Sequence, residues 1–576
     1  MSGLVPGSFP RLVARAFEEL DRNRSIFGLD ARKFVVQPPR HDTTVSIHKR
    51  KAGAPLGPSA GPHTQMAQNI VLSWLAGSRV IELKTVQILD SLAIPRPCID
   101  LHSVALNVEW SQELRIEQSL EEYVKASMLI AMLAHSFKVE PSCIFDMSVG
   151  YDLRGLRSER MVAFMQSMRH ARRYVDAFRS TIPARWGHLR GLDFAADIAP
   201  GVTVSTFHGC PVSEIERIAD FLMADMDLDC TIKLNPTLLG QVAVREIVHD
   251  RLGFTDIRIP SSAFRNDPTF DEAAEIVRRL QLRARELGRG FAIKLTNTLV
   301  VENRSGFLPA SEKLAYLSGA PLHVVAMHLV RLFRKTFGEG LPISFSAGID
   351  RTNYPDAVSL GLAPVTVCTD LLKQGGYARL HAYTDELQTR MDAARTPTLR
   401  EFSRSGNLDA YVDSLDSDPR YCAGRTRHPS RKTGAALGPF DCATCDLCIA
   451  ACPNDAIFVL PSLDGRFAFR EKHQLAVQAE WCNDCGNCET FCPDVGAPNR
   501  TKLRLFIHED DWKADAPRDA YLVHHKGTRC RIGGVEISYD SCDRDSEAFT
   551  TMHYLRHAVF DPEHVNSINC LALEER

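Results

Sequence analysis

Several things are missing from this chain of 576 residues, and each absence excludes something. No apolar run reaches the ~18 residues a membrane-spanning helix requires. The opening MSGLVPGSFPRLVARAFEEL has no apolar core of a secretory signal, so a reduced, cytoplasmic protein is expected. Charge of one sign is lacking too: 68 basic against 71 acidic residues leaves −3, which gives no reason to expect nucleic acid or a membrane surface as partner. The basic group Arg425, Arg427, Arg431 and Lys432 reads as a solvated stretch. No G-x-G-x-x-G occurs, so nothing supports a dinucleotide-binding domain. Low-complexity tracts and internal repeats are absent, with one exception.

The exception carries chemistry. Cys442, Cys445, Cys448 and Cys452 follow C-x2-C-x2-C-x3-C, and Cys482, Cys485, Cys488 and Cys492 repeat it, each run followed by proline (Pro453, Pro493). This is the ligand run of a bacterial two-cluster ferredoxin, in which the fourth cysteine of each run serves the other cluster. One [4Fe–4S] cluster is thus expected on Cys442, Cys445, Cys448 and Cys492, and the second on Cys482, Cys485, Cys488 and Cys452. Zinc needs four ligands per site and usually spreads two C-x2-C pairs apart. Disulfides need an oxidising compartment. The other nine of the seventeen cysteines are scattered.

A chain this long exceeds one core. Residues 8–22 have the stripe of an amphipathic helix (Leu12, Val13, Ala16, Phe17, Leu20). From about residue 54, short apolar strands alternate with helical stretches such as 271–288. The strand candidates are 79–85, 142–149, 202–207, 229–234, 291–296, 342–347 and 364–368, after a first strand ending near residue 57. TDIRIP (255–260) leaves the count uncertain. The pattern predicts a (β/α)8 TIM barrel over 1–395. A polar, irregular linker is expected over 396–437, a ferredoxin-type domain over 438–500 and a small α+β module over 501–576, with a tight hairpin at Gly533–Gly534. His524–His525 reads as surface.

Barrel enzymes place their working residues at the C-terminal ends of strands. There the chain has GPSAGPHTQ (57–65), whose small residues, Ser59 and Ala60 among them, let backbone approach a flat ligand. Lys84 and Thr85 end the second strand. A lysine on a buried strand is costly unless it meets a charge or an acceptor. SFSAGID (344–350) and VCTDLL (367–372) follow strands seven and eight, the usual barrel phosphate site.

GPSAGPHTQ, IELKTVQILD, SFSAGID and VCTDLL, in that order, resemble the flavin-binding barrel of dihydroorotate and dihydropyrimidine dehydrogenases. AGPHTQ, MSVGY, HGCP, KLNPTLLG and KLTNTL are shared more specifically with the selenate reductase family, which the chain resembles nearly throughout residues 1–390 and again in its ferredoxin segment and tail. Larger members of that family carry a glutamate-synthase-like FAD/NAD(P)H unit, not found in this sequence. The resemblance implies FMN on the barrel: Lys84 near the flavin ring, Ala347–Gly348 and Cys368–Thr369 on the phosphate, Lys233 or Lys294 as a second cation. It also implies Asn297–Thr298 facing substrate or flavin, and Ser318–Gly319 beside it. Alanine at 347 departs from the family's usual glycine pair. Within STFHGCP, Cys210 is the expected proton donor, with His208 next, because hydride addition needs an acid on the opposite face of the substrate. Asp152 stands where asparagine is usual. An ionised aspartate only accepts hydrogen bonds, so it either selects an N–H-rich ligand or is a turn residue.

The expected function is an iron–sulfur flavoprotein oxidoreductase that reduces or oxidises a cyclic amide, a pyrimidine or oxopurine. Its electron partner would be a separate FAD/NAD(P)H-dependent flavoprotein subunit or a ferredoxin, and the sequence leaves room for an oligomer. The alternative is an electron-transfer or assembly subunit with an inactive barrel, serving a molybdenum-type hydroxylase. A dihydroorotate dehydrogenase proper is disfavoured by the fused ferredoxin.

Overall fold

The computed structural model describes residues 3–90, 92–108, 111–205, 211–426, 432–463, 469, 471–524 and 527–570. His208 and Cys210 lie outside the described residues, as do His525, Arg427 and Arg431.

Eight short parallel strands form one sheet: β1 (Leu56–Pro58), β2 (Val80–Glu82), β3 (Ile144–Gly150), β4 (Gly201–Ser205), β5 (Asp229–Leu234), β6 (Phe291–Leu295), β7 (Ile343–Phe345) and β8 (Val365–Val367). They run in the order β1-β8-β7-β6-β5-β4-β3-β2. The Arg79 amide donates to Leu56 O at 2.8 Å, which brings β2 back against β1 and closes the barrel. Gly57 is required there: a Cβ at that position would stand 1.5 Å from Val80 O. Its smallness therefore serves strand closure rather than a ligand. The strands are buried almost throughout, as parallel strands covered by helices must be.

The segment 255–260 is not a strand. Ile257 and Ile259 are buried, but their carbonyls accept from the side chains of His249 (2.8 Å) and Arg245 (2.8 Å) instead of from a neighbouring strand. The count of eight is thus settled. The entry helix spans Phe9–Asn23, capped by Ser8. Its Arg15 bridges Glu19 and Asp455, each at 2.6 Å, so it joins the barrel to the cysteine-rich part. Among the described residues no helix is long and apolar enough to cross a membrane.

The polar stretch after 395 is more ordered than its composition suggests. Leu399–Phe402 and Leu408–Leu415 are helical, and Val412 and Leu415 are buried. Tyr411 hydrogen-bonds His323 at 2.9 Å, and the Tyr421 ring stacks on His323 at 5.2 Å.

A four-stranded antiparallel sheet, unforeseen in the sequence, stands at the C-terminal ends of the barrel strands. Its strands are Leu299–Glu302, Leu314–Ser318, Ala105–Asn107 and Ile99–Asp100, in that spatial order. The cysteine-rich part and tail share one six-stranded sheet: β9 (Ile457–Pro461), β10 (His473–Gln478), β11 (Leu503–Phe506), β12 (Ala520–His524), β13 (Gly527–Ile532) and β14 (Val535–Ser538). Between β13 and β14, Gly533 (φ 57°) and Gly534 (φ 80°) both take the left-handed backbone that a two-residue hairpin of this twist needs.

Candidate active site

A cleft of about 1100 Å³ opens where β1 to β8 end. Its walls include Ser59, Ala60, Lys84, Thr85, Asp152, Lys233, Asn297, Gly319, Ala347, Gly348, Cys368 and Thr369. Every described site residue expected of the barrel therefore faces one space, because each follows a strand of the same parallel barrel.

Two cations look into this space from different depths. Lys84 is only 3% exposed. Burial pulls its amine down to about 8, against the pull of Glu113 and Cys368. Lys233 is half-buried on the cleft wall and lowered by burial, with Glu82 opposing. Lys294 does not reach the cleft: it pairs with Glu82 inside the barrel and donates to Thr366 at 2.7 Å. Of the two candidates for a second cation, Lys233 is the one positioned at the cleft.

One end of the cleft is a cradle of backbone. Gly348 has φ 52°, and a Cβ there would meet Gly319 O at 2.3 Å. Gly319 (φ 77°) in turn caps the helix Ala320–Phe337, whose N-terminus thereby opens beside Ala347–Gly348. Ser318 hydrogen-bonds Thr369 at 3.0 Å. A Cβ at Gly61 would stand 2.9 Å from Cys368 Sγ. Unpaired amides at a helix start with small residues around them suit an anionic group such as a phosphate.

Asn297 is held in one amide orientation. Asp267 can only accept, and it accepts from Asn235 Nδ2 (3.0 Å), so Asn235 Oδ1 is left to accept from Asn297 Nδ2 (2.7 Å). Asp152 does two things at once: it lines the cleft and caps the short helix Leu153–Leu156, accepting from Gly155 N at 2.7 Å. The strand leading to His208 and Cys210 ends at Ser205, a cleft residue.

The two cysteine runs interleave. Cys442, Cys445 and Cys448 share a small cavity with Cys492, the fourth cysteine of the other run. Cys452 acts electrostatically on Cys482, Cys485 and Cys488. Each set of three thus meets the last cysteine of the opposite run, the donor set of a dicluster ferredoxin. All sixteen described cysteines are free of disulfides. Among the described residues no three cysteine sulfurs lie within 4.8 Å of one another. A single tetrahedral zinc with bonds of about 2.3 Å would hold its sulfurs closer than that. Burial pushes the thiols of Cys448 and Cys482 up to about 12, a cost that a bound cation offsets by taking the thiolate.

Residues 27–421 match the family model described as "Oxidoreductase YgfK, N-terminal TIM-barrel domain". The chain belongs to this family. Residues 430–497 match a 4Fe-4S dicluster domain. The YgfK proteins of two Escherichia coli strains are 40% identical to this chain over 405 residues, covering 66% of this chain and 39% of theirs. The chain therefore spans about two fifths of the length of these relatives. The ketoisovalerate oxidoreductase subunit VorC of Methanothermobacter marburgensis is 30% identical over 67 residues, 12% of this chain and 80% of that protein. Among solved structures, ligand-free DHODH from Eimeria tenella aligns with TM-score 0.44 and 14% identity, over 69% of this chain and 99% of that one.

In this YgfK-family chain, the seam between barrel and dicluster domain is built by residues the sequence did not single out. The amides of Cys98 and Ile99 both donate to Cys485 O, at 3.0 and 3.1 Å, and Ile99 lines the cleft. Asn487 Nδ2 donates to Leu372 O, another cleft residue, and to Ala451 O, each at 2.7 Å. Glu113 accepts from Asn483 (2.8 Å) and Gln65 (3.2 Å) and pairs with Arg96, whose other nitrogen lies 2.7 Å from Cys98 Sγ. A Cβ at Gly486 would stand 2.5 Å from Pro97. The only signal in the sequence was the proline-rich IPRPCID (94–100), which has no periodicity of its own.

Proposed function

We propose that this chain is an iron–sulfur flavoprotein oxidoreductase that passes electrons between two [4Fe–4S] clusters and barrel-bound FMN to reduce or oxidise a cyclic amide such as a pyrimidine or oxopurine. One observation carries the reading: the wall that closes the cleft is also the wall that holds the second cysteine set. Ile99 faces the cleft and hydrogen-bonds the carbonyl of Cys485. Nothing wider than one peptide separates a cluster ligand from the cleft lining there, which suits short-range electron exchange. When bound, the clusters supply single-electron transfer and FMN supplies hydride chemistry.

The remaining work falls to side chains. The amides at Gly319, Gly348 and Thr369 receive the phosphate. Lys84 and Lys233 put positive charge where a reduced isoalloxazine would be negative. Asn297, its orientation fixed through Asn235 and Asp267, recognises an amide edge. Asp152, with its second oxygen, accepts an N–H of the substrate. Cys210 donates the proton to the substrate face opposite the hydride, with His208 beside it in sequence. The cluster set on Cys482, Cys485, Cys488 and Cys452 is proximal to the cleft. The set on Cys442, Cys445, Cys448 and Cys492, which includes the exposed Cys445, faces a separate flavoprotein or ferredoxin that supplies electrons in the cytoplasm. The likeness to the selenate reductase family contributes a label only; no residue singled out here is suited to an oxyanion substrate in particular.

The test is flavin identity and iron content of anaerobically purified protein. About one FMN and about eight irons per chain support the reading, followed by reoxidation of the reduced protein by uracil, xanthine or urate. Iron without flavin, even after FMN is added, overturns it and leaves an electron-transfer subunit.

A further inference from the structure

The lumen of a TIM barrel is ordinarily packed with layers of branched apolar side chains. Here a polar column runs through it. At the floor, the turn of a hairpin (Val45–Ile47 with Arg50–Ala52) presents His48, with φ 52°. Its half-buried ring fits against two glycines: a Cβ at Gly290 would stand 2.3 Å from His48 Nδ1, and one at Gly201 would stand 3.9 Å from His48 Cδ2 and 2.8 Å from Asp146 Oδ1. His48 Nε2 lies 3.3 Å from Thr231 Oγ1. Above it, Asp146 accepts from Thr203 Oγ1 at 2.5 Å and is the direct cross-strand neighbour of Glu82. Glu82 pairs with Lys294, and its Oε1 is buried with no hydrogen-bond partner. Lys294 donates to Thr366 Oγ1 (2.7 Å), Ser59 Oγ bonds Thr366 Oγ1 (2.9 Å), and Ser59 Oγ meets Ser346 Oγ (2.6 Å). Ser59, Ser346 and Thr366 all line the cleft.

Burying this many ionisable groups is expensive, and apolar residues of equal volume would be as stable or more so. Their presence calls for a role. Resting on the flavoprotein reading above, we propose that this column is a proton path, from His48 at the barrel floor through Asp146 and the Glu82–Lys294 pair to the Thr366–Ser59–Ser346 hydroxyls at the cleft. The chemistry requires such a supply. Electrons that enter through cysteine-bound clusters bring no protons, whereas reducing one C=C or C=N bond consumes two electrons and two protons. The electrons come from the partner flavoprotein or ferredoxin, and one proton is given by the acid at the substrate. The other must enter the cleft from solvent, and it is the one delivered by the column. Burial holds the Asp146 carboxyl up at about 7, with Thr203 opposing, so it can both take and release a proton near neutrality.

The experiment is proton uptake during anaerobic photoreduction of the flavin-loaded full chain, followed with a pH-indicator dye beside flavin absorbance, in H2O and D2O. Asp146→Asn and His48→Ala are expected to slow uptake by at least about tenfold, the lower end of what a positioned proton carrier contributes. Imidazole in the buffer should restore His48→Ala but not Asp146→Asn. A carboxyl band in the oxidised-minus-reduced infrared spectrum should vanish in Asp146→Asn. Should Asp146→Asn not fold, His48→Ala on its surface hairpin decides the matter alone. Uptake at the wild-type rate, with the wild-type solvent isotope effect, makes the column a structural ion-pair belt and overturns the proposal while leaving the flavin reading intact. A wild-type protein that takes up no flavin overturns both.

Discussion

Lys84→Met should make this protein more stable and less useful. Lys84 is 3% exposed, and its amine is pulled down to about 8 from the ordinary 10.5. The difference corresponds to about 3 kcal/mol of unfavourable burial. Below pH 8 both folded and unfolded chains hold the proton, so the fold bears the whole cost. Between pH 8 and 10.5 the folded chain releases it while the unfolded chain keeps it, and stability rises. Above 10.5 neither holds it and the cost is gone. Methionine keeps the length without the charge. Glu113 is not stranded by the change, because Arg96, Gln65 and Asn483 still donate to it. Flavin-free Lys84→Met is therefore expected to gain about 3 kcal/mol at pH 7, about 2 at pH 9 and less than about 1 at pH 10. The assay is urea unfolding of the barrel transition at those three values, compared as midpoints because a multidomain chain has no single unfolding free energy. With flavin bound, the same variant should have a more negative flavin potential. A variant less stable than wild type at pH 7 would refute the reasoning, since Lys84 would then be a structural partner rather than a charge held ready for a ligand.

Cross-ligation makes Cys452→Ser behave like Cys485→Ser and unlike Cys445→Ser: iron should fall from about eight to about four, and electron paramagnetic resonance of the reduced protein should lose the same signal in the first two. Identical signals lost in Cys452→Ser and Cys445→Ser would show that each run serves its own cluster. Gly348→Ala places a methyl 2.3 Å from Gly319 O in left-handed backbone, and should cost about 3 kcal/mol and at least about tenfold in FMN affinity by fluorescence titration. The control is Gly288→Ala, also left-handed (φ 66°) but with nothing within 4 Å, which should cost about 1 kcal/mol and leave flavin affinity unchanged. Asn487→Ala removes two buried donors from the seam and leaves the Leu372 and Ala451 carbonyls unpaired, so about 2 kcal/mol should be lost and limited proteolysis between barrel and dicluster domain should quicken.

What the sequence made legible follows from how each feature is specified. The cysteine runs are local and chemical, so spacing alone assigns their partners across 40 residues. The eight strands are legible because a parallel strand covered on both faces must be apolar along its length. The cleft residues are legible for a topological reason: in this fold whatever follows each strand converges with whatever follows the others. The failures have one cause. Ile257 and Ile259 alternate like a strand but are satisfied by His249 and Arg245 side chains. Leu408, Val412 and Leu415 carry a helical stripe inside a polar stretch, and it becomes visible only against the helix Ala320–Phe337. Arg96, Cys98 and Glu113 matter because Cys485 and Asn483 arrive from nearly 400 residues away. Lys294 and Glu82 look like ordinary strand residues until the barrel closes and turns them onto each other. Each of these depends on a partner supplied by tertiary structure, and no window of sequence contains both members. The same dependence places the candidate electron route and the candidate proton route on opposite sides of the cleft, one through the seam at Cys485 and the other up the barrel axis from His48. Electrons and protons would then meet only where the substrate binds, which is the arrangement a reductase needs if neither is to be spent elsewhere.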